Sequence, residues 1–318
     1  MSKINYVSID IDGTLYPHKG LPVNPKHVKS MQNLAKRLWD KDVQVSLITG
    51  KIVGYVENAI EMYGLIDAPE KLVPYNVIEN GTVIMRYKKW PYNLDVLPEL
   101  FCRSDFRLHL LKVNQEITKK FNTISEAGKI GSLSISPPQG MDTNQFYPIL
   151  VDFLRKDLGF NIVDNKQQDQ LFNDSKIIQE MLMNGKSIEE IKDFVHSLGR
   201  DFFIANTPTA VDVTPYPLSK GLGLCYVAAN YGYDLGNAIY FGDSQGDFPV
   251  FELLSKEGGL AFAVGSASQE VKEFTKSISG YALKEDAPIC VFSALEKLIE
   301  CDCDKEEFKK SLQDIVEL

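Results

Sequence analysis

The chain has 318 residues, of which 44% are hydrophobic and 24% charged, as expected of a globular protein with room for two domains. Forty-three acidic against 34 basic residues give a formal net charge of −9, which argues against a non-specific nucleic-acid binder. The N-terminus has no basic region followed by an apolar core, and no apolar run approaches membrane-span length, so we expect neither secretion nor membrane insertion. The five cysteines form no C-x-x-C pair, which favours a reduced, cytoplasmic protein.

The first predicted strand covers residues 3–9 and ends in two acidic residues, Asp10 and Asp12, followed by Gly13 and Thr14. Side chains alternate along a strand, so this spacing directs both carboxylates to the same side of the chain. Two ionised acids side by side repel each other unless a cation or a shared proton is present. The pair therefore predicts a divalent metal site in which one carboxylate is a nucleophile and the other a proton donor, although a solvated strand-to-loop connection gives the same pattern.

Strands and helices then alternate. A helix is predicted over residues 25–39 with Asn24 as its N-cap, a strand over 43–48 that ends at Thr49 and Gly50, and a helix over 55–62. A further strand over 75–78 leads into the turn residues 79–82, which include Asn80 and Gly81. This alternation predicts an α/β fold, a Rossmann-like doubly wound parallel sheet with crossover helices.

Residues 84–206 interrupt this rhythm and predict an inserted, smaller α+β domain. It contains predicted helices over 108–121, 146–158 and 188–197, the last with Ser187 and Glu190 in capping-box positions, and predicted strands over 132–136 and 202–205. The core domain is then discontinuous, covering residues 1–83 and 207–318.

The second part of the predicted core begins with residues 211–213, which we interpret as a strand of the main sheet. A helix over 221–230 and strands over 238–241 and 260–264 follow. A last amphipathic helix over 305–316 needs a surface for its apolar stripe, either the core or a second copy of the chain in a homo-oligomer.

Several predicted strands end in polar or glycine residues, and the carboxyl ends of parallel strands meet at one edge of a sheet, where ligands bind. Thr49 offers a hydroxyl and Gly50 a backbone amide at a helix start, which suits an anion. Lys220 precedes a helix and could hold a phosphate. Asp243 and Asp247 add the oxygen ligands that Mg²⁺ prefers. Each also has a plain structural interpretation, as a strand–helix link, a solvated lysine, or a helix cap and first-turn acid.

Taken together, these segments resemble the four motifs of the haloacid dehalogenase superfamily. Asp10-Ile-Asp12-Gly-Thr resembles the first motif, Leu47-Ile-Thr49-Gly50-Lys51 the second, Ser219-Lys220-Gly221 the third, and Gly242-Asp243-Ser-Gln-Gly-Asp247 the fourth. The insert between the second and third motifs resembles the α/β cap of the Cof-type branch. Departures from the usual patterns occur at Lys51, where arginine is common, at Gly246, where asparagine is usual, and at Gly265-Ser266-Ala267.

The resemblance implies that Asp10 attacks phosphorus to form an aspartyl phosphate, and that Asp12 protonates the leaving alcohol and then activates water. It implies that Thr49, Gly50 and Lys220 hold the phosphoryl group, and that Mg²⁺ binds Asp10, the backbone carbonyl of Asp12, Asp243 and, directly or through water, Asp247. Asn80 is a candidate substrate contact. An acid at position 12 favours phosphoryl transfer over dehalogenation, because a halide leaves without a proton.

The sequence therefore predicts a magnesium-dependent phosphatase that acts on a small phosphorylated metabolite, such as a sugar phosphate. Two alternatives stay open, a phosphomutase of the same superfamily and a non-catalytic protein that binds a phosphorylated metabolite. The insert should supply substrate specificity. Its basic cluster of Arg103, Arg107, His109 and Lys112 faces either the pocket or, as such clusters more often do, solvent.

Overall fold

The computed structural model describes residues 2–16, 23–87, 93–164, 167–207 and 209–317. Within these residues the strands are β1 (Tyr6–Ile9), β2 (Gln44–Leu47), β3 (Tyr75–Ile78), β4 (Val83–Arg86), β5 (Asn93–Val96), β6 (Leu133–Ile135), β7 (Ile162–Asp164), β8 (Phe202–Asn206), β9 (Val211–Pro215), β10 (Ala238–Gly242), β11 (Leu260–Ala263) and β12 (Tyr281–Ala282). The α-helices are α1 (Pro25–Trp39), α2 (Val53–Met62), α3 (Leu97–Phe101), α4 (Phe106–Phe121), α5 (Thr143–Asp152), α6 (Gln168–Met183), α7 (Ile188–Ser197), α8 (Lys220–Tyr231), α9 (Phe248–Glu257), α10 (Gln269–Ser277), α11 (Ile289–Glu300) and α12 (Lys305–Ser311).

The main sheet has five strands in the order β12-β11-β10-β1-β2, all parallel. Strand β1, which lies between β10 and β2, is buried along its whole length, as expected for a parallel sheet covered by helices on both faces. A parallel bridge between Ile48 and Val77 brings the end of β3 beside the end of β2. The predicted fold class is thus confirmed, and the carboxyl ends of β10, β1, β2 and β3 lie in a row.

Strands β3, β4 and β5 form a separate antiparallel sheet. Side chains of β4 and α3 belong to the same apolar cluster as the main sheet. Met85 and Phe101 are examples, each completely buried. This three-stranded sheet therefore extends the core instead of standing apart from it.

A four-stranded sheet in the order β6-β9-β8-β7, which we call the small sheet, has an apolar cluster of its own with α4 and α5. Strand β9 pairs antiparallel with both β6 and β8, so the prediction that residues 211–213 belong to the main sheet is wrong. The segment Val211-Asp212-Val213-Thr214 has the β-branched pattern that suits either sheet, and only its distant pairing partners decide between them. The predicted residue ranges of the two domains stay predictions.

Local sequence signals predict some elements well. Helix α1 has the predicted bounds, with the Asn24 side chain accepting the amide N–H of Lys26. Helix α7 also has them, with the predicted capping box of Ser187 and Glu190. The single helix predicted over 305–316 is wrong, because α12 ends at Ser311.

The apolar stripe that begins in α12 packs on the chain's own core. Phe308 and Leu312 are almost completely buried within the core cluster, and Ile315 and Val316 pack against it. The apolar stripe therefore covers the core of its own chain, which is one of the two surfaces that the sequence left open. Among the described residues, no helix is both long enough and apolar enough to cross a membrane.

Candidate active site

Three buried carboxylates meet at the carboxyl edge of the main sheet. Asp10 follows β1, Asp243 follows β10, and Asp247 directly precedes α9. Each offers one oxygen within 4.8 Å of those of the other two, and we call this group the acidic cluster. Three converging hard oxygen donors suit a divalent cation such as Mg²⁺, and without positive charge nearby such a group repels itself.

Lys220 places a positive charge beside the acidic cluster. It is the first residue of α8, behind the N-cap Ser219, and its side chain is only 5% exposed. Its Nζ lies 3.2 Å from Asp10 Oδ1 and 2.6 Å from Asp247 Oδ1. Burial alone would lower the pKa of Lys220, but attraction to Asp10 and Asp247 outweighs it and raises that pKa. The lysine is therefore a fixed cation.

Asp247 is surrounded by hydrogen-bond donors. Its Oδ1 accepts from Lys220 Nζ and from the Tyr240 hydroxyl, both at 2.6 Å. Its Oδ2 accepts from the backbone amides of Asp243 and Ser244 and from the Ser244 hydroxyl, each at 3.0 Å. Burial would raise the pKa of Asp247, yet Lys220 and these donors lower it. Asp247 thus keeps its charge while fixing the lysine and the loop that carries Asp243.

Asp10 has the opposite electrostatic balance. Burial raises the pKa of Asp10 well above its ordinary range, Lys220 lowers it, and the neighbouring Asp247 and Asp243 raise it further. A cation bound to the acidic cluster would favour the ionised form of Asp10. The carboxylate that most needs such a cation is therefore Asp10, at the end of β1.

Asp12 lies in the same cavity as Asp10 but in a different environment. Its side chain is 38% exposed, with Oδ2 3.1 Å from Lys51 Nζ. Its Oδ1 accepts a hydrogen bond of 3.4 Å from the Tyr55 hydroxyl, whose pKa burial and Asp12 raise. The two predicted acids therefore do reach one cavity, one buried beside Lys220 and the other open to a ligand.

Thr49, Gly50 and Asn80 meet where the ends of β2 and β3 lie side by side. The amide N–H of Thr49 donates to Val77, and that of Asn80 donates to the carbonyl of Thr49. A Cβ at Gly50 would lie 2.8 Å from Asn80 Oδ1, so a side chain at this position would have to displace the Asn80 side chain. All three residues line the cavity with the predicted acids and Lys220.

The cavity has a volume of about 880 Å³ and lies between the carboxyl edge of the main sheet and the small sheet. The small sheet contributes Ser134, Phe203, Asp212 and Thr214 to its wall. Arg103, Arg107, His109 and Lys112 do not line it. Arg103 and Arg107 form exposed ion pairs with Asp105 and Glu99, and His109 packs against Phe202 on the sheet's other face.

Three residues that sequence reasoning missed connect the insert to the core. Glu79 is completely buried, and its carboxylate accepts the backbone amides of Ile130 and Gly131 at 2.9–3.1 Å. Lys129 donates to the carbonyl of Gly50 at 3.1 Å. Asp212 accepts from Asn80 Nδ2 at 3.3 Å. An acid inside the apolar strand β9, eight residues before Lys220, was the one available signal for Asp212.

Comparison with known proteins agrees with this geometry. The model of the haloacid dehalogenase-like hydrolase family matches residues 7–287. The phosphoglycolate phosphatase of Methanobrevibacter smithii is 28% identical over 297 residues, which cover 93% of this chain and 99% of the relative. The 5-amino-6-(5-phospho-D-ribitylamino)uracil phosphatase YcsE of Bacillus subtilis is 23% identical over 270 residues, which cover 85% and 87%.

Among solved structures, a haloacid dehalogenase-like hydrolase from Bacteroides thetaiotaomicron superposes with a TM-score of 0.59. The alignment covers 93% of this chain and 100% of that one, at 13% identity. At this identity the likeness concerns the fold.

Proposed function

The chain belongs to the haloacid dehalogenase-like hydrolases, and on that premise we propose that it is a magnesium-dependent phosphatase acting on a small phosphorylated metabolite, such as a sugar phosphate. The observation that carries the proposal is the buried Asp10 carboxylate, which lies 3.2 Å from the Lys220 ammonium in a cavity that both residues line. Two relatives that match this chain over most of their length bear the names of phosphatases, which supports the same class of reaction.

In the proposed first step, a carboxylate oxygen of Asp10 attacks phosphorus, the bond from phosphorus to the ester oxygen breaks, and an aspartyl phosphate forms. Lys220 neutralises charge on the phosphoryl oxygens, while Thr49 and the backbone amide of Gly50 offer hydrogen bonds to them. Burial of Asp10 and Lys220 strengthens these interactions because little water competes for them.

Asp12 is the proposed general acid and base. It protonates the ester oxygen as the alcohol leaves, then takes a proton from the water that attacks the aspartyl phosphate, which releases inorganic phosphate and regenerates Asp10. Its partial exposure suits this exchange, because the leaving group and then water must reach it from the cavity. Lys51 and the Tyr55 hydroxyl hold its two oxygens from the protein side.

The acidic cluster and the Asp12 carbonyl are the proposed magnesium ligands. When bound, the ion would neutralise charge on the phosphoryl oxygens and on the acidic cluster. Asp10 and Asp243 are the direct carboxylate ligands in this proposal. Asp247 already accepts five hydrogen bonds, so we infer that it contacts the ion through water.

Hydrolysis of p-nitrophenyl phosphate, with and without Mg²⁺, tests the proposal directly. We expect turnover that requires the metal and is lost in Asp10→Asn, whereas Asp105→Asn, a change to an exposed ion pair, should keep the wild-type rate. Asp12→Asn should accumulate protein that is heavier by one phosphoryl group, since the base for the second step is missing. An unchanged rate in Asp10→Asn would refute the assigned nucleophile.

Release of inorganic phosphate from a panel of phosphate esters that includes sugar phosphates separates the two alternatives. A phosphomutase would transfer the phosphoryl group to a second alcohol of the sugar and release little inorganic phosphate. A binding protein would bind phosphate esters without turnover of any ester in a broad panel. Rapid, stoichiometric release of inorganic phosphate would exclude both.

All five cysteines are free thiols, which supports the proposal that the protein works in the reducing cytoplasm. Fractionation of cells followed by detection of the protein in the soluble cytoplasmic fraction would test this location.

A further inference from the structure

The two faces of the small sheet have different surroundings, an apolar cluster on one side and the cavity on the other. One face carries Leu133, Ile135, Phe202, Ile204, Val211 and Val213, all buried in the sheet's own apolar cluster. The alternate residues of the same three strands line the cavity, among them Ser134, Phe203, Asp212 and Thr214. The cavity face is thus set by sheet register, not by loops.

Along this cavity face, a polar side passes into an apolar side. In the ladder, Asp212 stands between Ser134 of β6 and Ala205 of β8, and Thr214 stands opposite Phe203. Phe203 and Phe172 both pack against a small apolar cluster that contains Leu171 of α6, and all three line the cavity. A ligand that spans the face meets hydroxyl and carboxylate oxygens on one side and two aromatic rings on the other.

Asp212 gives the polar side a negative charge. One carboxylate oxygen is hydrogen-bonded to the Ser134 hydroxyl and the other to Asn80 Nδ2, both uncharged donors. Within the described part of the chain, no lysine or arginine pairs with Asp212. An ionised carboxylate has about four lone-pair sites, so it can still accept hydrogen bonds from hydroxyl groups of a ligand. The Asp212 carboxylate repels a ligand carboxylate that would lie where such a hydroxyl group binds.

Among the described residues of the insert, Lys129 is the cation that lines the cavity, and it is already engaged. Lys129 has a side chain only 2% exposed and lies 3.5 Å from Glu126. It also donates to the carbonyl of Gly50. Using Lys129 to bind a carboxylate ligand would require breaking these contacts.

The size of the cavity points the same way. Clefts that bury drug-sized ligands span about 300–1,000 Å³. At about 880 Å³, this cavity is near the upper end and would leave a two-carbon acid loosely held.

From these features we infer that the preferred substrate is a phosphate ester of a polyol or pentose that carries a planar, uncharged ring. Its hydroxyl groups bind Asp212 and Ser134, and its ring packs on Phe203 and Phe172. The inference deepens the proposed phosphatase function and rests on it. It also predicts that phosphoglycolate, named for the relative from Methanobrevibacter smithii, is a poor substrate of this chain.

Flavin mononucleotide, a ribityl phosphate bearing a planar ring, is the test probe. It is compared with ribose 5-phosphate, which lacks the planar ring. It is also compared with phosphoglycolate, which lacks both the planar ring and the chain of hydroxyl groups and carries a carboxylate. We expect kcat/KM to fall by at least tenfold at each of these two steps. Equal values, or a preference for phosphoglycolate, would overturn the inference.

Variants then locate the preference. Phe203→Ala should lower kcat/KM for flavin mononucleotide about tenfold, as expected for one lost stacking contact, and change ribose 5-phosphate less than twofold. Phe203→Leu, which keeps apolar volume without a ring, should show most of that loss. Asp212→Asn should raise kcat/KM for phosphoglycolate about tenfold and not raise that of ribose 5-phosphate. If none of these ratios changes, the assigned residues are wrong.

Riboflavin, the dephosphorylated product, separates failure of the inference from failure of the proposed function. Quenching of its fluorescence should show binding to the Asp10→Asn variant, weakened by adding Phe203→Ala. Turnover of p-nitrophenyl phosphate without riboflavin binding would overturn the inference alone. Riboflavin binding without turnover of any ester would overturn the phosphatase proposal and leave the ring-binding wall supported.

Discussion

Replacing Gly81 with alanine should move the turn after β3 and the start of α8 apart by about one ångström. Gly81 has φ of +89°, and a Cβ there would lie 1.9 Å from the carbonyl oxygen of Ser219 and 2.8 Å from the backbone nitrogen of Lys220. These are backbone atoms that cannot rotate away. Because Cβ contacts below 3.0 Å are not tolerated, the start of α8 and Lys220 must move by about 1 Å.

This displacement has two measurable costs. The left-handed backbone costs alanine about 1–2 kcal/mol, and forcing extra volume into a packed contact costs about 1–3 kcal/mol more. Moving a catalytic group by about 1 Å can lower a rate on the order of 100-fold. We therefore expect Gly81→Ala to lose about 2–5 kcal/mol of unfolding free energy and to fall about 100-fold in kcat for p-nitrophenyl phosphate.

Gly140→Ala is the matched control. Gly140 has φ of +85°, but nothing lies within 4 Å of a Cβ placed there. It should lose only the backbone cost of about 1–2 kcal/mol and keep the wild-type kcat. Urea unfolding and steady-state kinetics on both variants measure the difference. If Gly81→Ala matched Gly140→Ala in stability and kept full activity, the close approach of the two loops would not position Lys220.

Three further predictions follow from other contacts. Lys220→Met leaves Asp10 and Asp247 buried without their cation, so unfolding free energy should fall by about 3–5 kcal/mol at pH 7, against less than about 1 kcal/mol for Lys256→Met at an exposed pair. Since the pKa of Lys220 is raised in the folded protein, its contribution to the unfolding free energy is complete below the unfolded lysine pKa of about 10.4 and is lost as pH rises through the folded pKa. A difference in unfolding free energy between wild type and Lys220→Met that shrank between pH 7 and 9 would contradict this assignment. Mg²⁺ at 100 times its Kd should stabilise the wild type by about 2.7 kcal/mol in urea unfolding, and Asp243→Asn should lose most of that gain. Ser187→Ala should cost about 1 kcal/mol in the same assay with unchanged kcat, because it removes only the α7 cap; a changed kcat would link that helix to the site.

The sequence was sufficient to predict which strand-end residues lie close together, because a parallel sheet brings strand ends together whatever the details of its loops. Four residues that follow β-strands line one cavity, namely Asp10, Thr49, Asn80 and Asp243. The predicted caps at Asn24 and Ser187 depend on neighbours within three residues, and both are present. Local signals and sheet topology thus account for most of the correct predictions.

The incorrect predictions have a different cause. Residues 211–213 alternate in a way that suits any sheet, and their place was decided by pairing with residues 133–135 and 202–206. Helix α6 was not predicted, since its start has no side-chain cap and its apolar residues are interspersed with polar ones. Glu79 was recognised only as part of a turn, although its carboxylate binds backbone amides some fifty residues away. Contacts between distant segments cannot be read from periodicity.

The position of β9 has a consequence for how the cavity is built. This strand places Asp212 on the small sheet, and the chain then runs through Leu218 to Ser219, the N-cap behind Lys220. The same short segment therefore carries a wall of the cavity and the cation beside Asp10. Asn80 contacts this segment through Asp212, and Gly81 contacts it again at Ser219. Asn80 and Gly81, at the end of β3, thus contact both ends of this segment. A change at Gly81 is therefore expected to affect both the cavity wall at Asp212 and the position of Lys220.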